Sequence, residues 1–356
     1  MTTIAGVRGV LPEHRYSQQD ITEAIADWCL PSERDRALLR RFHQNAQVRT
    51  RHTAVPLERY QELVDFGSSN DVFIEQGTVL GARAVNEALA AAGLGAADVD
   101  LIMFTTVTGV VVPSLDALIA PIVGLRPDVK RMPLFGLGCV AGAAGIARVH
   151  DYLQSHPDEV AVLLSVELCS LTMQPQDRSA ANMVATGLFG DGAAAVVLVG
   201  SRRAEQLGIA EAMPTVLDSR SHLYPHTERI MGWDVGAEGL KIVLDAEVPV
   251  LVEKYLAGDL SLLLDAHQLD SSEIAGWVCH PGGPRVIEAI QRTLGLQQGE
   301  LELTWRSLAA IGNLSSSSVL HVLADTVAGR SFEPGSPGVL MAMGPGFCSE
   351  LVLLRW

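Results

Sequence analysis

Three residues of this chain carry side chains that together could perform acyl-transfer chemistry: Cys139, His280 and Asn313. Cys139 lies where an apolar, glycine-punctuated segment changes to helical spacing, which predicts a strand-to-helix turn. Free N–H groups and the positive end of the helix dipole at such a turn favour a thiolate over a thiol. A thiolate can accept an acyl group from a thioester at little cost, because one thiolate replaces another.

His280 and Asn313 offer the two other groups that this chemistry needs. A histidine within reach can keep Cys139 ionised and later donate a hydrogen bond. An asparagine amide can donate a hydrogen bond to a carbonyl oxygen that becomes an enolate. A cysteine and a histidine also serve in proteases, where Asn313 would orient the histidine. Proteolysis needs an open cleft, whereas Cys139 lies in a segment with the composition of a buried core.

An internal repeat indicates how the chain positions these residues. A shift of 174 residues lays Cys139 on Asn313, and the same shift lays Thr105-Thr106 on Cys279-His280. Small residues follow both members of the first pair, which predicts two helices packed closely against each other. Taken singly, each residue has another interpretation. Cys139 could be an inert core cysteine, His280 a turn residue at the end of a strand, and Asn313 a helix cap. The shared offset favours convergence at one site.

The repeat predicts an α/β protein of two halves, residues 1–210 and 211–356, stacked as a layered α-β-α-β-α sandwich. A longer interval in the first half places an insertion near residues 174–182, beside the site. Strands are predicted at residues 4–11, 99–106, 163–168 and 193–199, with a short buried strand just before Cys139, and helices at residues 18–30 and 78–92.

Composition limits the class of protein. The net charge of −15 argues against nucleic acid or an anionic membrane as the main partner. Five cysteines without paired or zinc-like spacing favour a reducing cytoplasm, and no apolar run has the length of a membrane span. Six arginines between residues 34 and 51 form the one basic stretch, which is either a solvated helix face or an anion-binding rim.

Several motifs resemble the signature blocks of one known family. They are Gly138-Cys-Val-Ala-Gly142, Leu188-Phe-Gly-Asp-Gly-Ala-Ala-Ala195, His280-Pro-Gly-Gly-Pro284, Gly312-Asn-Leu-Ser-Ser316 and Gly344-Pro-Gly346. In register along the whole chain, these blocks resemble the type III polyketide synthases of the chalcone synthase superfamily. That resemblance implies the thiolase fold, in agreement with the repeat. Four further blocks look most similar to actinobacterial alkylpyrone synthases: residues 131–139, 165–172, 230–235 and 302–306.

The resemblance also implies roles. Cys139 would be the nucleophile, and His280 and Asn313 would bind the extender carbonyl and stabilise the enolate left by loss of carbon dioxide. Phe189 matches the family's gatekeeper phenylalanine, while the second gatekeeper position falls near Ile242. Arg41 matches a basic residue of the coenzyme A entrance, and Asn45 replaces another. The resemblance places the remaining substrate-binding positions at Thr108, Cys169, Thr172, Ser315, Gly344, Pro345 and Gly346.

The expected activity is therefore an acyltransferase. It would load a medium or long alkyl acyl-CoA on Cys139, extend it with malonyl-CoA or methylmalonyl-CoA, and release an alkyl α-pyrone. No metal or redox cofactor is implied, and a homodimer is expected, with residues 110–113 as a candidate segment reaching across it. The alternatives are a single-condensation 3-ketoacyl synthase, an alkylresorcinol-forming synthase and a non-catalytic acyl-CoA-binding protein. The sequence does not decide starter length, extender or number of condensations.

Overall fold

The structure, a computed structural model, describes residues 1–210, 213–297 and 299–356. The strands in these ranges are β1 Thr2–Val10, β2 His14–Ser17, β3 Thr50–Thr53, β4 Leu101–Thr106, β5 Lys130–Phe135, β6 Val160–Leu168, β7 Asp191–Gly200, β8 Thr215–Leu223, β9 Met231–Gly236, β10 Gly239–Leu244, β11 Gly276–Cys279, β12 Pro337–Gly344 and β13 Cys348–Arg355. The α-helices are α1 Gln18–Cys29, α2 Glu33–Asn45, α3 Phe66–Ala92, α4 Leu115–Val123, α5 Ala141–Ser155, α6 Ala180–Leu188, α7 Ser201–Leu207, α8 Val248–Asp265, α9 Pro284–Leu294, α10 Glu302–Ile311 and α11 Ser316–Gly329.

Nine strands form one continuous sheet in the order β11-β12-β13-β8-β1-β7-β6-β4-β5. Its two halves meet where β1 pairs with β8 through only two residue pairs, Thr2 with Val216 and Thr3 with Thr215. Within each half the pairing is extensive, for example along the full length of β7 against β6. The sheet is therefore two repeated sheets joined by a short seam.

The structure confirms the internal repeat. The order β4-β6-β7-β1 in the first half corresponds to β11-β12-β13-β8 in the second, and α3 and α5 correspond to α8 and α11. Where the first half has β5, the second has α10. The predicted insertion is a 3-10 turn over Cys169–Thr172 followed by α6, between β6 and β7, whereas β12 and β13 form a direct hairpin.

Three apolar cores produce the predicted α-β-α-β-α layering. One core packs α3 and α4 on the outer face of the first sheet, and another packs α8 and α9 on the outer face of the second. The middle core holds α5 and α11 between the two sheets. Gly142 of α5 lies against the backbone carbonyl of Ser316, so a β-carbon at this position would collide with α11. Small residues thus allow the close helix contact that the repeat predicted.

Two predicted elements differ from the structure. α3 begins at Phe66 rather than near Thr78, because Asp65 caps it and accepts a hydrogen bond from the backbone N–H of Ser68. The strand before Cys139 was expected to be buried, but β5 is an edge strand with Phe135 58% exposed. The boundary at residues 210/211 stays a prediction, since residue 211 lies outside the described residues.

No helix in the described ranges combines the length and the apolar character needed to cross a bilayer.

Candidate active site

Cys139 occupies a 3-10 turn, Gly138–Val140, that leads directly into α5. Gly138 adopts a φ of 57°, and a β-carbon there would lie 2.6 Å from Cδ of Pro345. Gly344 packs equally closely, since its β-carbon would lie 2.7 Å from the carbonyl oxygen of Leu137. The Gly344-Pro345 turn of the second half therefore supports the turn that presents Cys139, and only glycine fits at both contacts.

The resting Cys139 side chain is a thiol. Its Sγ donates a hydrogen bond to Oγ of Ser315 at 3.7 Å. Burial raises the pKa of Cys139 to about 12, while the hydrogen bonds with Ser315 and Asn313 lower it by less. Removal from water therefore opposes the thiolate that the helix N-terminus was expected to favour.

His280 directly follows β11 and is held by its backbone, whose N–H donates to the carbonyl of Met341 at 2.9 Å. Neither ring nitrogen has a hydrogen-bond partner within the described residues, although both are buried. Burial lowers the pKa of His280 to about 3, so the imidazole is neutral near pH 7. The ring can therefore donate one hydrogen bond and accept one from an incoming substrate.

Asn313 is fixed on both its backbone and its side chain. Its backbone N–H donates to the carbonyl of Leu188 at 2.9 Å, and its carbonyl accepts from the N–H of Gly190 at 2.9 Å. The side-chain Oδ1 accepts from the N–H of Ser315 at 2.8 Å, and Nδ2 donates to the carbonyl of Gly282 at 3.3 Å. Because neither ring nitrogen of His280 has a hydrogen-bond partner in the described residues, Asn313 does not orient His280 as a protease triad would require.

One cavity brings the three residues together. Cys139, His280 and Asn313 line it with residues of both halves, and most of its exposed wall is apolar. The remaining wall residues are Val107, Gly138, Cys169, Leu188, Phe189, Met231, Gly232, Trp233, Ile242, Leu244, Val248, Gly282, Val286, Ile290, Ser315, Met341, Ala342, Met343, Pro345 and Phe347. A thiol, a neutral imidazole and an amide thus face one water-poor space, which suits acyl transfer to sulfur and hydrogen bonding to a developing oxyanion.

The predicted substrate-binding positions divide into two groups. Phe189, Cys169, Ile242, Ser315 and Pro345 line the cavity that contains Cys139. Thr172 lines an adjoining chamber, whereas Gly344 and Gly346 flank the wall residue Pro345 without lining the cavity themselves.

Thr108 is not part of this wall; its neighbour Val107 is. The Thr108 hydroxyl donates to the buried carboxyl group of Glu167 at 3.1 Å and accepts from the N–H of Leu168 at 3.0 Å. Burial raises the pKa of Glu167, whose other oxygen accepts a short hydrogen bond from Ser316. Thr108 therefore belongs to a buried polar network that ties β6 to the start of α11, next to Ser315.

The basic stretch does not act as a single surface. Arg36 pairs with Asp27 at 2.9 Å, and Arg40 pairs with Glu23 and Glu33. Arg41 lies exposed on α2 and is absent from the cavity wall. Arg51, by contrast, is 5% exposed. Two of the six arginines are thus paired on the face of α2, and one, Arg51, enters the interior.

Sequence reasoning missed Trp233 and Phe347, two large aromatic side chains of the cavity wall. Trp233 lies on β9, within residues 230–235, which were noted only for their resemblance to other sequences. Phe347 follows the Gly344-Pro345-Gly346 motif directly and is completely buried. Each residue lies beside a recognised motif, and this position was the signal that the sequence offered. The direction in which each side chain points depends on the geometry of its β-hairpin, β9–β10 for Trp233 and β12–β13 for Phe347.

In the described part of the chain, no group of three or more His, Cys, Asp or Glu side chains could hold a metal ion.

Comparisons with known proteins show which family this chain resembles. The family model for the N-terminal domain of chalcone and stilbene synthases matches residues 2–202. The family model for their C-terminal domain matches residues 216–356. A 1,3,6,8-tetrahydroxynaphthalene synthase of Streptomyces peucetius subsp. caesius is 54% identical over 355 residues, covering 100% of this chain and 93% of that protein. The alpha-pyrone synthesis polyketide synthase-like Pks18 of Mycobacterium tuberculosis (strain ATCC 25618 / H37Rv) is 30% identical over 99% of this chain and 91% of its own length.

A solved structure shows the same likeness. The crystal structure of 1,3,6,8-tetrahydroxynaphthalene synthase from Streptomyces coelicolor A3(2), described as a bacterial type III polyketide synthase, matches with a TM-score of 0.91 and 30% sequence identity. The match covers 99% of both chains.

Proposed function

Because this chain belongs to the chalcone and stilbene synthase family of type III polyketide synthases and is an acyltransferase, we propose that Cys139 carries the growing chain. His280 and Asn313 would then activate the extender, malonyl-CoA or methylmalonyl-CoA. The observation that carries this proposal is that the three side chains, from different elements of both halves, line one buried cavity.

Loading begins with attack of the Cys139 sulfur on the thioester carbonyl of the starter. The new bond joins sulfur to the acyl carbon, coenzyme A leaves as the thiol, and the thiol proton passes to the departing sulfur. Burial disfavours both the thiolate and the imidazolium. The neutral imidazole of His280 therefore serves as a transient proton acceptor, charged only while the acyl group transfers.

Extension needs a stabilised enolate. The His280 N–H and the Asn313 Nδ2 would donate to the thioester carbonyl of the extender. Loss of carbon dioxide leaves its electron pair on the α-carbon, and the carbonyl oxygen becomes an enolate oxygen held by the two donors. The α-carbon then attacks the acyl group on Cys139, which releases the sulfur. Hydrogen bonds of this kind are worth most in a site without bulk water.

We infer that the product is an aromatic polyketide made without an alkyl starter. The support is the relative that is 54% identical, whose name is 1,3,6,8-tetrahydroxynaphthalene synthase. That product carries its hydroxyl groups on alternate carbons and has no alkyl side chain, the pattern expected from two-carbon units alone.

Formation of an alkyl α-pyrone is the second candidate. The mostly apolar wall of the cavity favours an alkyl starter, and the 30% identical Pks18 has alpha-pyrone synthesis in its name. Cys169 borders both the cavity of Cys139 and the adjoining chamber, so an alkyl tail would pass beside it. An alkylresorcinol from the same starter would instead require ring closure through a carbon–carbon bond and loss of the terminal carboxyl carbon as carbon dioxide.

One experiment separates these products. The purified protein is incubated with malonyl-CoA alone, with methylmalonyl-CoA alone, and with each extender plus alkanoyl-CoA starters of graded length; products are identified by mass. Aromatic product from malonyl-CoA alone supports the first candidate, and starter-dependent pyrones support the second. A single-condensation 3-ketoacyl synthase would instead release a 3-keto product extended once.

We also propose that two copies associate through one apolar edge. Val112 before α4 is 93% exposed, and Phe135 on the edge strand β5 is 58% exposed. Arg131 of β5 donates to Ser114 at 3.0 Å, so the two segments lie side by side. An apolar edge of this kind is a typical interface between subunits.

Two further assignments complete the proposal. Arg41, which is exposed on α2, is the proposed contact for a phosphate group of coenzyme A. The five free cysteines favour a cytoplasmic location.

A further inference from the structure

Ser315 contacts both Cys139 and Asn313 in the wall of the cavity. Its hydroxyl oxygen accepts the hydrogen bond of the Cys139 thiol at 3.7 Å, and its backbone N–H donates to Oδ1 of Asn313 at 2.8 Å. The residue is 3% exposed, so bulk water does not compete for either contact. Ser315 therefore touches the proposed nucleophile with its side chain and the proposed enolate-binding amide with its backbone.

The backbone of Ser315 has a conformation that glycine adopts more readily than serine. Its φ is 49° and its ψ is −128°. These angles are close to those of the first central residue of a type II′ turn, where glycine is strongly preferred. A residue with a β-carbon in this conformation costs the fold stability and persists only where the surrounding structure holds it. A serine here is therefore best explained by what its side chain does.

The hydroxyl group of Ser315 does not cap the helix that follows it. Ser315 is the N-cap of α11, a position where a serine hydroxyl usually accepts a hydrogen bond from an N–H of the first turn. No side-chain bond of this kind forms here. Within the described residues, the hydroxyl oxygen bonds to the Cys139 thiol, and the hydroxyl hydrogen has no acceptor. The hydroxyl group is thus available to the sulfur of Cys139.

A hydroxyl group can change from acceptor to donor because its hydrogen rotates about the C–O bond. We propose that Ser315 is a further catalytic residue, whose hydroxyl donates a hydrogen bond to the Cys139 sulfur whenever that sulfur is a thiolate. During loading, the S–H proton passes to His280 while the sulfur forms its bond to the acyl carbon. During extension, the bond between sulfur and the acyl carbon breaks, and its electron pair stays on sulfur. Ser315 keeps its own proton in both steps.

The burial of Cys139 makes this hydrogen bond important. A thiolate that water does not reach must be stabilised by donors of the protein. Burial raises the pKa of Cys139, and the hydrogen bond with Ser315 is the largest of the effects that lower it, while the carboxyl group of Glu167 raises it further. The inference rests on the proposed function, because it requires Cys139 to carry the acyl chain.

The test variant is Ser315→Gly, which removes the hydroxyl and suits the observed backbone angles. Loading of Cys139 is followed by rapid quench and intact-protein mass with malonyl-, acetyl- or octanoyl-CoA, whichever acylates the wild-type protein fastest. Decarboxylation of malonyl-CoA is measured as acetyl-CoA formed. Loading should fall at least about tenfold relative to decarboxylation, the usual effect of losing one charged hydrogen bond. The urea midpoint should not fall, since glycine relieves the backbone strain.

Two further variants separate the hydroxyl from the backbone. Ser315→Ala removes the hydroxyl but keeps a β-carbon, and its loading should fall as in Ser315→Gly. Gln268→Gly is the matched control, because Gln268 also has a positive φ, 57°, and is exposed outside the cavity wall. This control should leave loading and decarboxylation within about twofold of wild type.

Three results would overturn the inference. The first is loading by Ser315→Gly at the wild-type rate. The second is an equal loss of loading and decarboxylation, which would mean that Ser315 only orients Asn313. The third is a lowered urea midpoint or a failure of Ser315→Gly to fold, since the serine would then serve the fold.

The same data keep the two proposals apart. If no acyl-CoA acylates Cys139 of the wild-type protein, the proposed function itself fails. If the wild-type protein is acylated and Ser315→Gly loads equally fast, only the role of Ser315 fails.

Discussion

The side-chain Oδ1 of Asn313 accepts a 2.8 Å hydrogen bond from the backbone N–H of Ser315. This bond fixes the orientation of the amide: Nδ2 donates one N–H to the carbonyl of Gly282, and its second N–H remains for a substrate oxygen. Ser315 holds a positive φ of 49°, and its hydroxyl also accepts from Cys139. One residue therefore orients the proposed enolate-binding group and contacts the proposed nucleophile.

We expect Asn313→Ala and His280→Ala to lose malonyl-CoA decarboxylation by at least about 100-fold, since each removes a donor to the developing oxyanion. Loading of Cys139 should remain partly active. Decarboxylation is measured as acetyl-CoA formed, and loading as the intact mass of the acylated protein. Asn70→Ala, at a half-buried asparagine that bonds to Val110 and is not part of the cavity wall, serves as the control. Normal decarboxylation in either test variant would show that the assigned roles are wrong.

Cys139→Ala should abolish all polyketide product, because no other group is proposed to hold the acyl chain. Cys29→Ser should leave product formation within about twofold of wild type, since Cys29 lies on α1 outside the cavity wall. Product mass spectrometry measures both. A fully functional Cys139→Ala protein would indicate a non-catalytic acyl-CoA-binding protein instead.

The reactivity of Cys139 should depend steeply on pH. Burial raises its pKa to about 12, so the thiolate fraction, and with it the alkylation rate by iodoacetamide, should rise about tenfold per pH unit from 7 to 10. The Ser315 hydroxyl lowers this pKa, and Ser315→Ala should therefore slow alkylation at every pH in this range. Labelling of Cys139 is followed by peptide mass spectrometry. A rate that levels off between pH 6 and 8 would show that the resting site holds a thiolate after all.

Gly142→Ala should destabilise the fold by about 1–3 kcal/mol, because its new methyl group meets the Ser316 carbonyl and Val319 of α11. Urea unfolding measures the effect. Gly258→Ala is the matched control: Gly258 is also helical, and a β-carbon there meets nothing within 4 Å, so this change should be neutral or stabilising by up to about 1 kcal/mol. Equal effects at the two positions would argue against a special closeness of α5 and α11.

Val112→Asp should weaken self-association if the apolar edge of α4 and β5 joins two copies, since it would bury an unpaired charge there. Analytical ultracentrifugation at several protein concentrations reports the dissociation constant, which should rise at least tenfold. Val235→Asp is the control, because Val235 is also exposed but lies on the β9–β10 hairpin. An unchanged mass distribution for Val112→Asp would place the interface elsewhere.

Much of the fold could be predicted from local patterns. The repeat offset of 174 residues reflects real equivalence of β4 with β11 and of α5 with α11. The small residues after Cys139 and Asn313 indicated close helix packing because only small side chains permit it. The early start of α3 was missed, since its first turns lack a clear apolar period. The exposure of β5 was missed too, since an edge position depends on strand order.

The sequence by itself determined the composition of the site: one cysteine, one histidine and one asparagine at equivalent positions of a duplicated α/β unit. The tertiary structure decided their chemical state. Burial leaves Cys139 as a thiol and His280 neutral, although a helix N-terminus alone would favour the thiolate. It also placed Thr108 in a polar network, Trp233 in the cavity wall and Arg51 in a second chamber. Solvent exclusion and side-chain direction are properties of packed elements from distant parts of the chain, so no local spacing could specify them.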